Sequence, residues 1–218
     1  MKVALVDYGA GNLTSVIKAL EAVGAEIDLA SVPEAIAPAR AIVIPGVGHF
    51  AATASLGSTW MEAVRHAINR GVPLLGICLG LQWLFEGSEE SPETAGLGFI
   101  RGRCFRLQET GSRSGDSASS GRLDTRLKVP HVGWNSLERT DRNSRLLEGI
   151  PDGASAYFTH SYAAPCVAET VAKTIHAAPF SAAVERDCVF GVQFHPEKSG
   201  RTGLQMLTNF MRVAAERP

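Results

Sequence analysis

The sequence of 218 residues is 45% hydrophobic and carries a formal net charge of −1. This length and composition suit one domain with a sizeable buried core, and we expect a single domain over residues 1–218. The balanced charge, without a Lys/Arg tract, argues against nucleic-acid binding, and no apolar run approaches the roughly 20 residues that span a membrane.

The N-terminus and the cysteines predict a cytoplasmic protein. An apolar strand at residues 3–6 meets Asp7 at once, without the apolar region or cleavage site of a signal peptide. The cysteines show no Cys-x-x-Cys spacing, and we expect free thiols rather than a disulfide framework. They are Cys78, Cys104, Cys166 and Cys188.

Apolar runs and helical spacing alternate along the chain. Apolar runs, several of them bounded by Gly or Pro, predict strands at 3–6, 41–44, 74–77, 156–159 and 189–194. Strands are also expected at 26–30 and 102–107. Apolar spacing of three and four predicts helices at 13–23, 60–69, 79–86 and 204–211. Strand–helix alternation favours an α/β fold: one open, mostly parallel, flavodoxin-like sheet with helices on both faces.

Three connecting segments carry no cofactor signal. The turn after the first strand contains Gly9 and Gly11, but Ser15 stands near the third glycine of a dinucleotide fingerprint, so a tight turn is favoured. Residues 87–98 are expected to form a loop. Residues 108–128 are rich in Ser, Gly, Arg and Asp, which predicts a mobile loop. No residue pattern indicates ATP, flavin or metal, and we expect no cofactor.

Gly76, Cys78 and Gly80 form a Gly-x-Cys-x-Gly pattern where a strand turns into a helix. This is the spacing of a nucleophile elbow, in which small flanking residues permit a tight turn that projects the nucleophile. The helix N-terminus favours a thiolate, and the N–H of Leu79 is expected to be free to bind an oxyanion. A lone cysteine in an apolar run is more often a small core residue, so the pattern needs a partner.

That partner is expected where the last strand ends in His195, Pro196 and Glu197. Residues two apart in an extended segment point to the same side, so the imidazole and the carboxylate can share one pocket. Strand ends of this kind line the ligand site of open α/β sheets. His160 is the alternative base, but it has no acidic neighbour. Each residue taken alone suits a surface role; together with Cys78 they predict a triad.

The sequence resembles the class I (triad-type) glutamine amidotransferases, in the elbow at 76–80 and in His-Pro-Glu at 195–197. Further blocks resemble the glutaminase subunits of imidazole glycerol phosphate synthase, in histidine biosynthesis. They are Asp-Tyr-Gly-Ala-Gly-Asn at 7–12, Pro-Gly-Val-Gly at 45–48, Pro-His-Val-Gly-Trp-Asn at 130–135, Tyr-Phe-Thr-His-Ser-Tyr at 157–162 and the segment 191–200. The resemblance covers nearly the whole chain, but the connection at 108–128 is longer than is usual in the family.

The resemblance implies hydrolysis of glutamine to glutamate and ammonia by Cys78, His195 and Glu197. The N–H groups of Val47 and Leu79 are candidates for the oxyanion hole, although a simple glycine turn is the alternative interpretation of 45–48. The glutamine pocket would contain Gly48, Gln82, Glu90, His160, Ser161 and Tyr162.

The resemblance also implies a heterodimer. Asn12 and Trp134 would face a cyclase subunit with a (β/α)₈ barrel, which uses the ammonia to make imidazole glycerol phosphate and an aminoimidazole carboxamide ribotide. Val47 stands where many relatives have glycine, and β-branching makes a positive φ costly. We therefore expect its peptide to rest outward, which leaves the isolated subunit nearly inactive until its partner binds.

Two alternative functions stay open at this point. One is the glutaminase of pyridoxal phosphate synthase, which the blocks at 7–9 and 131–135 disfavour. The other is a non-catalytic interaction subunit that keeps the fold, which the intact triad disfavours.

Overall fold

The computed structural model describes residues 1–109 and 127–216. Most of the predicted mobile loop, residues 110–126, lies outside the described residues. The helices are α1 (Leu13–Ala22), α2 (Ser58–Asn69), α3 (Leu79–Leu84) and α4 (Gly200–Ala215). The strands are β1 (Lys2–Val6), β2 (Glu26–Ala30), β3 (Ala41–Ile44), β4 (Leu74–Ile77), β5 (Gly87–Ser88), β6 (Ser91–Ala95), β7 (Arg103–Arg106), β8 (His131–Arg139), β9 (Ala154–His160), β10 (Tyr162–Ala163), β11 (Thr170–His176), β12 (Ala178–Arg186) and β13 (Val189–Val192).

The described residues build a nine-stranded sheet in the order β2-β1-β3-β4-β13-β12-β11-β8-β9. The first five strands are parallel to one another. From β13 onward each neighbour is antiparallel. The predicted α/β class is confirmed, and the sheet is a parallel half extended by an antiparallel half.

Helices cover both faces of the parallel half, as the sequence predicts. In β1, Val3 and Leu5 pack with α1 and α4 on one face, whereas Ala4 and Val6 pack with α2 and α3 on the other. Burial on both faces explains why β1, β3, β4 and β13 read as nearly continuous apolar runs, whereas the edge strand β2 is partly exposed. Within the described ranges, no helix is long and apolar enough to cross a membrane.

The expectation of a loop at 87–98 is wrong for part of that segment. Strands β5 and β6 pair with each other, and β5 also pairs with β7, in a second sheet of order β10-β7-β5-β6. The sequence gives no apolar signal for β6, because this strand is Ser-Pro-Glu-Thr-Ala and largely solvent-facing. The predicted helix 79–86 ends earlier, at Leu84, because the N–H of Leu97 bonds the carbonyl of Trp83 (2.6 Å) and replaces a further turn.

Two glycines make the turn between β4 and α3 possible. A Cβ on Gly80 would lie 1.8 Å from the carbonyl oxygen of Ile44, and one on Gly76 would lie 2.6 Å from the backbone of Gly80. Between them Cys78 adopts φ 53° and ψ −103°, a conformation costly for a residue with a side chain. The Gly-x-Cys-x-Gly spacing is therefore a steric requirement of this turn.

We expect Gly80→Ala to lower the free energy of unfolding by about 1–3 kcal/mol, because the added methyl overlaps a backbone carbonyl that cannot move aside. Urea unfolding followed by circular dichroism measures the change. Gly57→Ala is the control, because its Cβ would lie 3.7 Å from the nearest atom, the carbonyl oxygen of Ala54. We expect a loss below about 1 kcal/mol there; equal losses in the two variants would contradict the steric account.

Candidate active site

The parallel pairing of β4 and β13 brings two strand ends together. Ile77 lies opposite Val192, and the N–H of Cys78 donates to the carbonyl of Val192 at 2.7 Å. Cys78 is therefore adjacent to Gln193, the first residue after β13. The thiol is 5% exposed at the N-terminus of α3, as the elbow pattern predicts.

His195 and Glu197 form a buried pair next to this elbow. Nδ1 of His195 lies 2.8 Å from Oε1 of Glu197, and both side chains are almost fully buried. The carboxylate can only accept a hydrogen bond, so Nδ1 carries a proton. Nε2 is the ring nitrogen that does not face Glu197. The pairing predicted from an extended segment is present, but Glu197 reaches the ring from a 3₁₀ turn, Pro196–Lys198, that starts after His195.

Opposing effects act on the pKa of His195. Burial disfavours the imidazolium and lowers the pKa, but the interactions with Cys78 and Glu197 outweigh burial and raise the pKa to about 10. Nε2 is buried and has no hydrogen bond of good geometry among the described residues. The protonated ring is thus stabilised by two flanking groups and keeps a nitrogen for proton transfer.

The main chain around His195 is fixed by the edge strand β9. The N–H of His195 donates to the carbonyl of Tyr157 at 2.9 Å, and Ser199 Oγ donates to the carbonyl of His195 at 2.6 Å. The same hydroxyl accepts from the N–H of Tyr157 at 2.9 Å. The histidine is therefore held by the antiparallel half of the sheet as well as by β13.

A cavity of about 260 Å³ opens at Cys78. The side chains and backbone that line it include all six residues predicted for glutamine, together with both oxyanion-hole candidates. Its lining is Val47, Gly48, Cys78, Leu79, Gln82, Glu90, Pro130, Thr159, His160, Ser161 and Tyr162. Pro130 and Thr159 were not predicted. His195 and Glu197 do not line the cavity.

His160 lines the cavity but has no nitrogen available for proton transfer. Its Nδ1 lies 2.9 Å from the carbonyl of Tyr162, which can only accept, so Nδ1 is the donor. Its Nε2 then accepts from Nδ1 of His131 at 3.0 Å. Burial, helped by the neighbouring His131, lowers the pKa of His160 to about 3. The ring stays neutral, in agreement with the preference for His195.

The oxyanion hole is not assembled as expected. The N–H of Leu79, predicted to be free, donates to the carbonyl of Gly46 at 3.3 Å. In a planar trans peptide the carbonyl and the following N–H point in opposite directions, so the N–H of Val47 points away from the elbow. This is the outward orientation that the β-branched Val47 predicts.

Two residues near the sulfur were missed from the sequence. Gln193 Nε2 donates to Cys78 Sγ at 3.6 Å. The hydroxyl of Tyr8 is buried without a hydrogen-bond partner among the described residues, and a Cβ on Gly46 would lie 2.2 Å from it. Burial and the nearby Cys78 raise the pKa of Tyr8. Gln193 could have been found by the two-residue alternation that paired His195 with Glu197.

The two residues predicted for a partner interface are both exposed. The ring of Trp134 is 59% exposed and meets Tyr157 edge-on, with 5.9 Å between the ring centroids. Asn12 precedes α1 without capping it, and its Nδ2 donates to Ser15 Oγ at 3.1 Å.

Across 1–109 and 127–216, no cluster of three or more His, Cys, Asp or Glu side chains is placed to hold a metal ion. The four cysteines are free thiols.

The chain is similar to known proteins over almost its whole length. The family model described as glutamine amidotransferase class-I matches residues 4–214. Imidazole glycerol phosphate synthase subunit HisH of Thermococcus kodakarensis is 46% identical over 97% of this chain and 100% of its own. The same subunit of Geobacillus kaustophilus is 43% identical, over 99% and 98%.

Solved structures share the fold at lower identity. The structure of PurLQS from Thermotoga maritima superposes with a TM-score of 0.70 at 15% identity, covering 97% of this chain and 97% of its own. The glutaminase domain of Trypanosoma brucei CTPS, solved with bound acivicin, gives 0.67 at 16% identity, covering 100% and 95%. The chain belongs to the class I glutamine amidotransferases, and within them to the HisH subunits of imidazole glycerol phosphate synthase.

Proposed function

We propose that Cys78, His195 and Glu197 hydrolyse glutamine to glutamate and ammonia, and that a cyclase subunit uses the ammonia to make imidazole glycerol phosphate and an aminoimidazole carboxamide ribotide. The observation that carries the proposal is the thiol at the elbow beside a cavity, flanked by a buried His195–Glu197 pair. Family membership supports the same reaction.

In the first half-reaction, the Cys78 thiolate attacks the side-chain carboxamide carbon of glutamine. His195 donates its Nε2 proton to the departing nitrogen, which leaves as ammonia, and a γ-glutamyl thioester forms on Cys78. Glu197 holds the proton on Nδ1, 2.8 Å away, so that Nε2 carries the transferred proton.

In the second half-reaction, neutral His195 takes a proton from water. The hydroxide attacks the thioester carbon, and the thiolate leaves to release glutamate. Backbone N–H groups of Val47 and Leu79 would bind the oxyanion of both tetrahedral intermediates once the Gly46–Val47 peptide turns inward.

The remaining cavity residues would bind the amino-acid end of glutamine, among them Gly48, Gln82, Glu90, Ser161 and the backbone near Tyr162. We assign the ammonia acceptor to a (β/α)₈ barrel that contacts the surface carrying Asn12 and Trp134. The names of the relatives, as subunits of a synthase, support an assembly with a further subunit. We also place the activity in the cytoplasm, where the four free thiols would stay reduced.

We expect Cys78→Ser to abolish glutamine-dependent synthesis by the assembled enzyme and to leave ammonia-dependent synthesis intact. The reason is that the nucleophile is in this chain, whereas the synthesis belongs to the cyclase. Product formation with glutamine and with ammonium salt measures both. Cys166→Ser, at an exposed thiol, is the matched control and should keep both activities. Loss of both activities in an assembled Cys78→Ser complex would contradict this division.

We expect Glu197→Gln to slow glutamine hydrolysis by roughly 10²–10⁴-fold, because no carboxylate then holds a proton on Nδ1 of His195. The pKa of His195 should fall, since burial is no longer offset by the carboxylate. Glutamate release across pH measures the rate.

The same variant has a pH-dependent effect on stability. A histidine whose pKa rises on folding, here from 6.5 to about 10, stabilises the fold below 6.5 and loses that contribution as pH rises through 10. Urea unfolding should therefore show a larger loss for Glu197→Gln at pH 6 than at pH 10.5. A loss that grows with pH would contradict the assigned pair.

We expect the isolated chain to be nearly inactive, with activity raised by the cyclase and its nucleotide ligand. Val47→Gly should raise hydrolysis by the isolated chain about 5- to 30-fold, because glycine avoids the cost of a left-handed conformation for a residue with a side chain. Val47→Ala keeps its Cβ and should give a smaller rise. Full activity of the unmodified isolated chain, or no rise in Val47→Gly, would contradict the resting peptide orientation.

A further inference from the structure

A line of hydrogen bonds runs from one wall of the cavity to the sulfur of Cys78. Gln82 Nε2 donates to the carbonyl of Tyr162 at 2.9 Å and to Oε1 of Gln193 at 3.3 Å. Gln193 Nε2 then lies 3.6 Å from Cys78 Sγ. Gln193 is fully buried and Gln82 is 4% exposed.

The orientation of both amides follows from one obligatory acceptor. The carbonyl of Tyr162 can only accept, so the Gln82 atom that faces it is nitrogen. The second hydrogen of that nitrogen requires an acceptor on Gln193, which is therefore Oε1. The remaining side-chain atom of Gln193, Nε2, is a donor and points at the sulfur.

The sheet explains why Gln193 is next to the nucleophile. Gln193 follows β13 where Cys78 follows β4, and its own N–H donates to the carbonyl of Ala182 at 2.9 Å. His195 is two residues further on, so successive alternate residues of one segment reach the same thiol. The mechanism described above uses His195 but leaves the amide of Gln193 without a role.

We propose that Gln193 is a further catalytic residue for glutamine hydrolysis, which donates an N–H to the Cys78 sulfur whenever that sulfur is a thiolate. This inference rests on the proposed function. The sulfur is anionic before attack and again when it leaves the second tetrahedral intermediate. The thioester sulfur between those points is neutral and accepts weakly, so the bond favours the two states in which the thiolate is needed.

The donor also increases the fraction of reactive sulfur. A hydrogen bond to the charged form favours ionisation of a thiol. When the pKa of a thiol falls, each thiolate becomes less nucleophilic, but the fraction of thiolate rises more steeply, because the Brønsted coefficient is about 0.4–0.5. The net effect at neutral pH is a faster attack on glutamine.

The test uses the full chain in complex with its cyclase partner, and two variants, Gln193→Met and Gln193→Glu. Methionine keeps the shape and removes the donor; glutamate also keeps an acceptor for Gln82. Alkylation of Cys78 by iodoacetamide is followed against pH by mass spectrometry of the Cys78 peptide. The exposed Cys166 in the same molecule is an internal control, and Gln205→Met on α4 is the matched substitution away from the site.

We expect the midpoint of Cys78 alkylation to move up by about one to two pH units in Gln193→Met, from the loss of a hydrogen bond to a charged group. It should move further in Gln193→Glu, where a carboxylate also repels the thiolate. Glutamine turnover of Gln193→Met at pH 7 should fall roughly 3- to 16-fold, because the more basic thiolate recovers about half of the loss, with KM little changed. Cys166 alkylation and the Gln205→Met enzyme should match the wild type, and ammonia-dependent synthesis should persist.

A midpoint that does not move in Gln193→Met would overturn the role of Gln193. A wild-type complex that alkylates at Cys78 but releases no glutamate would instead contradict the proposed function. If Gln193→Met does not fold, Gln193→Leu decides the outcome, because leucine also removes the donor without adding a charge.

Discussion

The parallel pairing of β4 with β13 is the contact on which the rest of the site depends. It aligns the ends of the two strands. The side chains of Gln193 and His195, which follow β13, can therefore reach the sulfur of Cys78, which follows β4. The glycines of the elbow are required because this convergence leaves no room for a Cβ between β3, β4 and α3. The antiparallel strand β9 then holds His195 from the far side through Tyr157.

The buried charges of the site are compensated by neighbouring groups. His195 and Glu197 are buried where an isolated charge would be costly, and each reduces the cost of the other. The neutral His160 lines the cavity, and it accepts a hydrogen bond from the neutral His131 while it donates one to the carbonyl of Tyr162. Different neighbours thus raise the pKa of His195 and lower the pKa of His160 and of His131.

The sequence was sufficient for features with short-range physical causes. The Gly-x-Cys-x-Gly turn, the continuous apolar strands and the His195–Glu197 pair all follow from local sterics and periodicity. Strands β5 and β6 were missed because solvent-facing residues give no apolar signal. The outward Gly46–Val47 peptide agrees with the expectation from Val47, but the bond from Leu79 to the carbonyl of Gly46 was missed because it joins two turns that are distant in the sequence. Gln193 was missed because a buried amide in an apolar strand resembles the end of a core segment.

In the mechanism that we propose, Cys78 carries the γ-glutamyl group during turnover. The most direct measurement is acid quenching of the working complex with glutamine, followed by mass spectrometry of the peptides containing each cysteine. We expect one γ-glutamyl adduct on the Cys78 peptide, absent without glutamine and absent from the peptides of Cys104, Cys166 and Cys188. Sustained glutamate release with an adduct on another cysteine, and none on Cys78, would contradict it.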